Sequence, residues 1–395
     1  VENSFKEGTV KLLAATPTLA AGVNLPARRV VIASVLRYDS DYGGNTPISI
    51  LEYKQLCGRA GRPKYDDFGE AIIVTEQGGE SGGTRASPEE LYDHYVLGTP
   101  EPLQSQLSGD KALRFHLLSF IATMPGLRES DIYEFFSMTL LGTQKRGSVL
   151  EFKIAGTLEY LEYEGLILLR NGRYMASEFG KKISLLYIDP ATGVEFKKSL
   201  ERLPRSREGR NTLGFLHLIS VCSDFYPKLG LRKKDQEALR LLLQQRQDEL
   251  PYQVSEYDSS RSFLALAQWI EEASESHLSD HTGVEPGDMH RIIENAQWLA
   301  YSLYEIAKMG GREDLLPELG RLRTRLRYGV LDELIPLVAL EGVGRVRARA
   351  LYAAGYTDPG KIAKSSLAKI SAVDKIGPSV AKKIKDQLMN KGRKE

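Results

Sequence analysis

Hydrophobic positions change their period along the chain, and each change predicts a different architecture. Over residues 1–104 the apolar positions come in short runs at 10–15, 30–35 and 71–75, with a helical pattern over 50–60 between them. Short apolar strands alternating with helices predict a parallel sheet. Gly78, Gly79, Gly82 and Gly83 then punctuate the segment. From about Gln104 to Pro190 the period turns helical over 112–124, 130–141 and 152–164, and the stretch ends in apolar runs within 166–175 broken by Asn171-Gly172. Asn-Gly between apolar runs is a strong signal for a two-residue hairpin. Three helices and a small hairpin resemble a winged helix.

Residues 191–330 are almost entirely helical in period, with apolar spacings of three and four through 239–243, 263–270 and 292–306, which predicts an α-helical bundle. Within 288–309 the stripe Met289, Ile292, Ala296, Leu299, Leu303 and Ile306 is the face expected to be buried. Arg291 and Trp298 are seven apart and share a face roughly 100° from the nearest stripe residue, so they flank the core. A guanidinium and an aromatic ring side by side are the groups that stack on unpaired bases. A tryptophan packed under a neighbouring loop is the plainer alternative. Residues 331–395 contain two glycine-centred turns, Glu341-Gly342-Val343-Gly344 and Lys375-Ile376-Gly377-Pro378, each flanked by helical pattern. These look like helix-hairpin-helix elements, whose backbone N–H groups meet phosphate without reading base sequence. Gly342 and Gly344 fit that pattern, and Arg345, Arg347 and Arg349 behind them are expected to bind phosphate. Lys375 stands where the second turn should have its first glycine, so a structural role is expected there.

Length and charge refine this picture. A chain of 395 residues suggests about two to four domains. With 53 Lys and Arg against 52 Asp and Glu, nucleic-acid affinity has to come from local clusters. Such clusters occur at Arg202, Arg205, Arg207 and Arg210, and at Arg321, Arg323, Arg325 and Arg327. The last 65 residues hold 13 Lys and Arg against 7 Asp and Glu. A solvated face is the alternative for any one of them. Cys57 and Cys222 are far apart without metal-type spacing, so neither a disulfide framework nor a zinc site is expected, and a reducing interior is. No apolar run approaches the roughly 20 residues that span a bilayer, and Val1 opens in mid-domain without a signal-peptide pattern. A soluble, cytoplasmic, nucleoid-associated protein with no metal ligands and no membrane contact is the expectation.

The candidate chemistry lies in two strings, ATPTLAAGVNLPARRVVI at 15–32 and QLCGRAGRP at 55–63. Phosphoryl transfer builds negative charge that a fixed guanidinium can stabilise. Arg59 and Arg62 sit three apart on one expected helical face, beside Gly58, Ala60 and Gly61, which let a backbone approach closely. Thr16, Thr18, Gly22 and Asn24 fall at an expected strand-to-helix turn, where hydroxyls and N–H groups suit a DNA phosphate. An exposed arginine pair and ordinary turn chemistry are the alternatives. Together the strings resemble motifs V and VI of a superfamily 2 helicase, in the form carried by the archaeal DNA repair helicases called Hjm, or Holliday junction migration helicases.

That resemblance covers essentially all of the chain, strongest at 15–63 and weaker over 283–311 and 340–351. It implies a multidomain α/β plus α fold. Residues 1–104 would be the C-terminal part of the second RecA-like motor domain, 105–190 a winged helix, 191–330 a helical ratchet bundle, and 331–395 a helix-hairpin-helix DNA-binding domain. By the same resemblance Arg59 and Arg62 are arginine fingers with Gln55 as the leading polar residue of their motif. Thr16 and Thr18 belong to the DNA contact, Gly22 and Asn24 couple it to the nucleotide site, and Arg291 and Trp298 lie on the ratchet helix. The turn-rich excursion 37–46 takes the place of a strand-splitting β-hairpin, where Tyr38 or Tyr42 could stack on the last base pair; a surface loop is the alternative. The third helix of the winged-helix segment carries Glu151, Glu159, Glu162 and Glu164 against Lys153, so a structural spacer is expected there and not a major-groove reader.

Neither a G-x-x-x-x-G-K-[ST] loop nor an acidic magnesium box preceded by an apolar strand occurs in the chain. The expectation is therefore the back half of a motor, from a 3′ to 5′ ATP-dependent DNA helicase acting on forked and branched DNA in replication-coupled repair. ATP and Mg2+ would serve the intact parent, with neither bound by this chain alone. Single-stranded and forked DNA are the expected partners of a monomer, with single-strand-binding and replication-fork proteins as further candidates. An RNA helicase of exosome-associated type is one rival, disfavoured by the helix-hairpin-helix turns and by the lack of a long arch insertion. A non-catalytic DNA-binding scaffold is the other.

Overall fold

The computed structural model describes residues 2–16, 27–39, 44–61, 66–75, 86–145, 147–205, 211–250 and 259–391. The chain divides into two compact units, Val1–Gln104 and Ser105–Glu395. In the first, α1 (Glu2–Lys6) is followed by β1 (Arg29–Ile32), β2 (Leu36–Asp39), β3 (Gly44–Pro47), α2 (Ile50–Cys57), β4 (Glu70–Ile73) and α3 (Pro88–Leu91). β1 and β4 pair in parallel, Val30 opposite Ala71 and Ile32 opposite Ile73, as alternating strands and helices predict. The excursion after β1 forms a hairpin, with β2 and β3 antiparallel and Arg37 opposite Thr46. The strand expected over 10–15 is not formed: residues 10–16 run as irregular chain, and Leu12 is 83% exposed. An apolar run becomes a strand only when a neighbour takes up its backbone N–H and C=O groups, and none of the described strands pairs with this one.

A small core of Ile32, Val35, Ile48, Ile50, Tyr53, Leu91 and Tyr95 fixes α2 against the strands. Tyr95 can be buried because its hydroxyl donates to the Ile48 carbonyl at 2.9 Å. The N-terminus of α2 is doubly capped. Ser49 accepts the N–H of Glu52 at 3.0 Å, and the Glu101 carboxylate accepts those of Ile50 and Leu51 at 2.7 and 3.1 Å. Donors that an isolated helix would leave unsatisfied are thereby used.

The second unit opens with α4 (Asp110–Thr123), α5 (Glu129–Ser137), α6 (Leu140–Gln144) and α7 (Ser148–Tyr163), then the hairpin β5 (Ile167–Arg170) and β6 (Arg173–Ala176). Asn171 and Gly172 both have positive φ, 51° and 71°, as a two-residue hairpin turn requires. The helix expected over 130–141 is split, because the Thr139 hydroxyl accepts the N–H of Gly142 and starts α6 afresh. Helices α8 (Glu178–Leu186), α9 (Pro190–Arg202), α10 (Thr212–Val221), α11 (Lys233–Gln245), α12 (Arg261–Trp269), α13 (Glu275–Thr282), α14 (Pro286–Met309) and α15 (Leu316–Tyr328) follow. Helix α14 has 24 residues and is roughly 36 Å long. Its predicted stripe from Met289 to Ile306 is buried at every position, and α10 is buried all round, as a central helix of a bundle must be.

One hydrophobic core runs from Leu113 to Leu326, so the three-helix-and-hairpin segment and the bundle are built on the same interior. A separate core, including Val330, Leu337, Ile362 and Ile384, holds α16 (Ile335–Val338), α17 (Arg345–Ala353), α18 (Pro359–Lys364), α19 (Leu367–Ser371) and α20 (Pro378–Lys391).

Candidate functional site

In the first unit the backbone brings the end of one candidate string to the other. Ala27 donates its N–H to the Arg59 carbonyl at 2.9 Å and accepts that of Gly61 at 2.7 Å, with Ala27 and Ala60 bridged in parallel. This approach needs glycine. Gly61 has a φ of +88°, and a Cβ on Gly69 would fall 2.3 Å from the Gly61 nitrogen. Gln55 is exposed on the last turn of α2, and Arg59 is half-buried just beyond its end. Thr16 is exposed. Arg62, Thr18, Gly22, Asn24 and Tyr42 lie outside the described residues. Tyr38 is placed on β2 opposite Asn45, and Arg37 on the same strand meets Glu52 of α2 at 2.9 Å. Backbone N–H groups, that of Ile50 first, hold the Glu101 carboxyl below its usual range.

In the second unit Arg291 is exposed on α14, and Trp298 is half-buried at the edge of the core. The Trp298 indole N–H donates to the Leu186 carbonyl at the end of α8, at 3.0 Å. Its edge is therefore seated by the neighbouring helix. Lys182 and Glu305 add an ion pair between α8 and α14 at 2.8 Å. Further along α14, Arg323 of α15 lies over the rings of Tyr301 and Tyr304, 4.9 and 5.4 Å from their centroids.

Gly342, with a φ of 79°, and Gly344 are both exposed at the start of α17. Lys375 adopts the same left-handed conformation in the second turn, with a φ of 62°, so the lysine keeps the glycine's geometry. The arginines that follow each meet a partner within the protein. Arg347 donates to the Gly342 carbonyl at 2.7 Å and to that of Lys375 at 3.4 Å, joining the two turns. The Arg345 guanidinium lies 4.8 Å over the Trp269 ring and donates to the Ala273 carbonyl, and burial lowers its pKa. Arg349 pairs with Glu272 at 2.8 Å and Glu333 at 3.1 Å; its hydrogen bond to Glu272 holds its pKa up. Spaced four apart, Arg345 and Arg349 share one side of α17, and that side faces the bundle. All three guanidinium groups thus have partners within the protein, which join the two turns to each other and to the bundle.

The cluster at Arg321 to Arg327 is likewise not a plain solvated face. Arg325 is buried and bonds the carbonyls of Val330 and Ile270 and the carboxylate of Glu271, at 3.2, 3.1 and 2.8 Å. A cavity of about 920 Å³ between the bundle and the last helices is lined by residues including Arg246, Glu271, Arg321 and Asp332. Glu272 is the junction residue that sequence reading missed. It has a φ of 67°, bonds Arg349 and accepts the N–H of Leu331 at 3.2 Å. Nothing local in Glu271-Glu272-Ala273 distinguishes it from a solvated acidic turn.

Three family models match the chain: Helicase conserved C-terminal domain over residues 1–64, Archaeal helicase, domain 4 over 213–329, and SAM-like Helix-hairpin-helix tandem over 334–390. Among curated relatives, the ATP-dependent DNA helicase Hel308 of Pyrococcus horikoshii is 39% identical over 98% of this chain and 54% of its own length. The protein of the same name from Pyrococcus abyssi is 38% identical over 97% and 53%, and that from Aeropyrum pernix 36% over 98% and 51%. The chain thus spans about half the length of the curated relatives it matches. Among the described residues no helix is long and apolar enough to cross a membrane.

Proposed function

Because the chain belongs to the archaeal Hel308 family, we propose that it is the C-terminal part of an ATP-dependent 3′ to 5′ DNA helicase that translocates on single-stranded DNA and unwinds forked or branched duplexes. The observation that carries this reading is the backbone bridge from Ala27 to Arg59 and Gly61. A strand-contacting segment and an arginine-bearing segment joined in this way can exchange DNA grip for nucleotide state. Guanidinium groups are donors only, suited to the phosphates of ATP, and Arg59 would supply that charge. The chain has no phosphate-cradling loop, so ATP and Mg2+ would be held in the intact parent. Thr16 and Thr18 would meet the DNA backbone, with Gly22 and Asn24 coupling that contact to the nucleotide.

Residues 105–190 are read as a winged helix that serves as a spacer, since α4, α5, α7 and the β5–β6 hairpin share the core of the bundle. Residues 191–330 are the ratchet bundle, with Arg291 and Trp298 of α14 offered to bases of the translocating strand. In the last segment the exposed Gly342 and Gly344 turn would take phosphate through backbone N–H groups, while its arginines hold the turn in place. The test is Arg59→Ala in the full-length protein. Hydrolysis should slow by about 10³-fold or more, the scale of a lost arginine finger, with DNA affinity nearly unchanged. Loss of binding with turnover intact would refute the assignment.

A further inference from the structure

Helix α8 ends on Tyr187, which adopts the left-handed conformation, φ 60° and ψ 27°. Glycine stops a helix in this way at no steric cost, whereas the Cβ of an L-residue crowds a carbonyl oxygen. Such strain persists where the surroundings hold it, and it gathers at functional sites. Yet burial gives little in return here: Tyr187 is 73% exposed and Leu185 beside it 76%. Phe115 of α4 meets the ring at a centroid distance of 5.8 Å, tilted by 41°. A tyrosine therefore occupies a glycine's position with most of its ring in solvent.

Its placement is specific. The Leu186 carbonyl, one residue earlier, accepts the indole N–H of Trp298 at 3.0 Å. The ion pair of Lys182 with Glu305 at 2.8 Å, and the Ser184–Ser119 hydroxyl contact at 3.2 Å, fix α8 against α14 and α4. Tyr187 thus follows directly on the residue that seats Trp298, on a rigid support.

We propose that Tyr187 is a further nucleobase-stacking residue, extending the Arg291 and Trp298 face of α14 onto the end of α8. This rests on the reading of that face as a single-strand contact. An unpaired base is the occupant that the chemistry favours: a flat, half-supported ring stacks on any base face, and its phenol edge tolerates water. An apolar protein partner would ask for a broader patch than Leu185 and Tyr187 provide.

The experiment uses the whole chain and a fluorescein-labelled oligothymidylate, with anisotropy and a thermal midpoint recorded for Tyr187→Gly, Tyr187→Phe and Trp298→Ala. Tyr187→Gly should bind about 5- to 150-fold more weakly, the range for loss of one stacked base. Its midpoint should hold or rise, because glycine relieves the left-handed strain. Tyr187→Phe should bind like the parent. Unchanged affinity in Tyr187→Gly beside a weakened Trp298→Ala would overturn the proposal and leave the α14 reading standing; unchanged affinity in both would overturn both. A Phe variant as weak as the Gly variant, or a Gly variant that melts early and binds normally, would also overturn stacking at Tyr187.

Discussion

At the scale of single residues, the side chains nearest the expected phosphate site serve the protein's own joints. Arg345 and Arg349 follow a glycine turn of phosphate-binding type, and proximity in sequence made them natural ligands. Their direction on α17 turns them toward the bundle. Trp269, Ala273, Glu272 and Glu333 take up both guanidinium groups. Which partner a side chain finds across a junction is a tertiary fact that local pattern does not encode, and the same holds for the left-handed Glu272 and Tyr187. Arg349→Ala should therefore loosen the junction without abolishing the phosphate contact proposed at Gly342 and Gly344. Amide exchange in α17 and at Leu331 should quicken, while single-strand affinity falls less than about tenfold, because a partly exposed pair contributes only about 1 kcal/mol. Affinity lost wholesale, with exchange unchanged, would return Arg349 to the DNA-binding surface.

Among the elements, those set by local pattern were legible and those set by distant partners were not. The stripe of α14 and the Asn171-Gly172 hairpin follow from spacing and from the need for positive φ. Residues 10–15 read as a strand because apolar runs do, yet strand formation depends on a neighbour. The cap on α2 was invisible for a similar reason, since Glu101 lies 51 residues from the N–H of Ile50 that it accepts. Its pKa is lowered, first by that N–H. A carboxylate depressed on folding contributes stability that is present above its unfolded value and lost as pH falls through the folded one. Amide exchange at Ile50 and Leu51 should therefore accelerate on acidification below the ordinary glutamate range, and Glu101→Ala should show fast exchange already at neutral pH. Equal protection in the variant at neutral pH would remove Glu101 from the cap. The β2–β3 hairpin carries another test. Replacing residues 39–46 by a tight turn in the full-length protein should stop strand separation and leave DNA-stimulated hydrolysis, whereas undiminished unwinding would reduce the hairpin to surface structure.

For the whole molecule, the proposed function is a division of labour: this chain would supply an arginine finger and DNA-contacting surfaces, and the phosphate cradle would lie elsewhere in a longer parent. Its near-balanced charge, 53 Lys and Arg against 52 Asp and Glu, means that contact must come from placed groups and not from a broad field. The match over nearly the full chain to relatives about twice as long is consistent with that division. The most direct measurement sets binding and turnover side by side on the purified chain, using single-stranded DNA, forked DNA and RNA of matched length, with ATP present. The chain should bind single-stranded and forked DNA in preference to RNA, with ATP turnover no higher than background. Sustained turnover by the chain alone, or a preference for RNA, would contradict the proposed function.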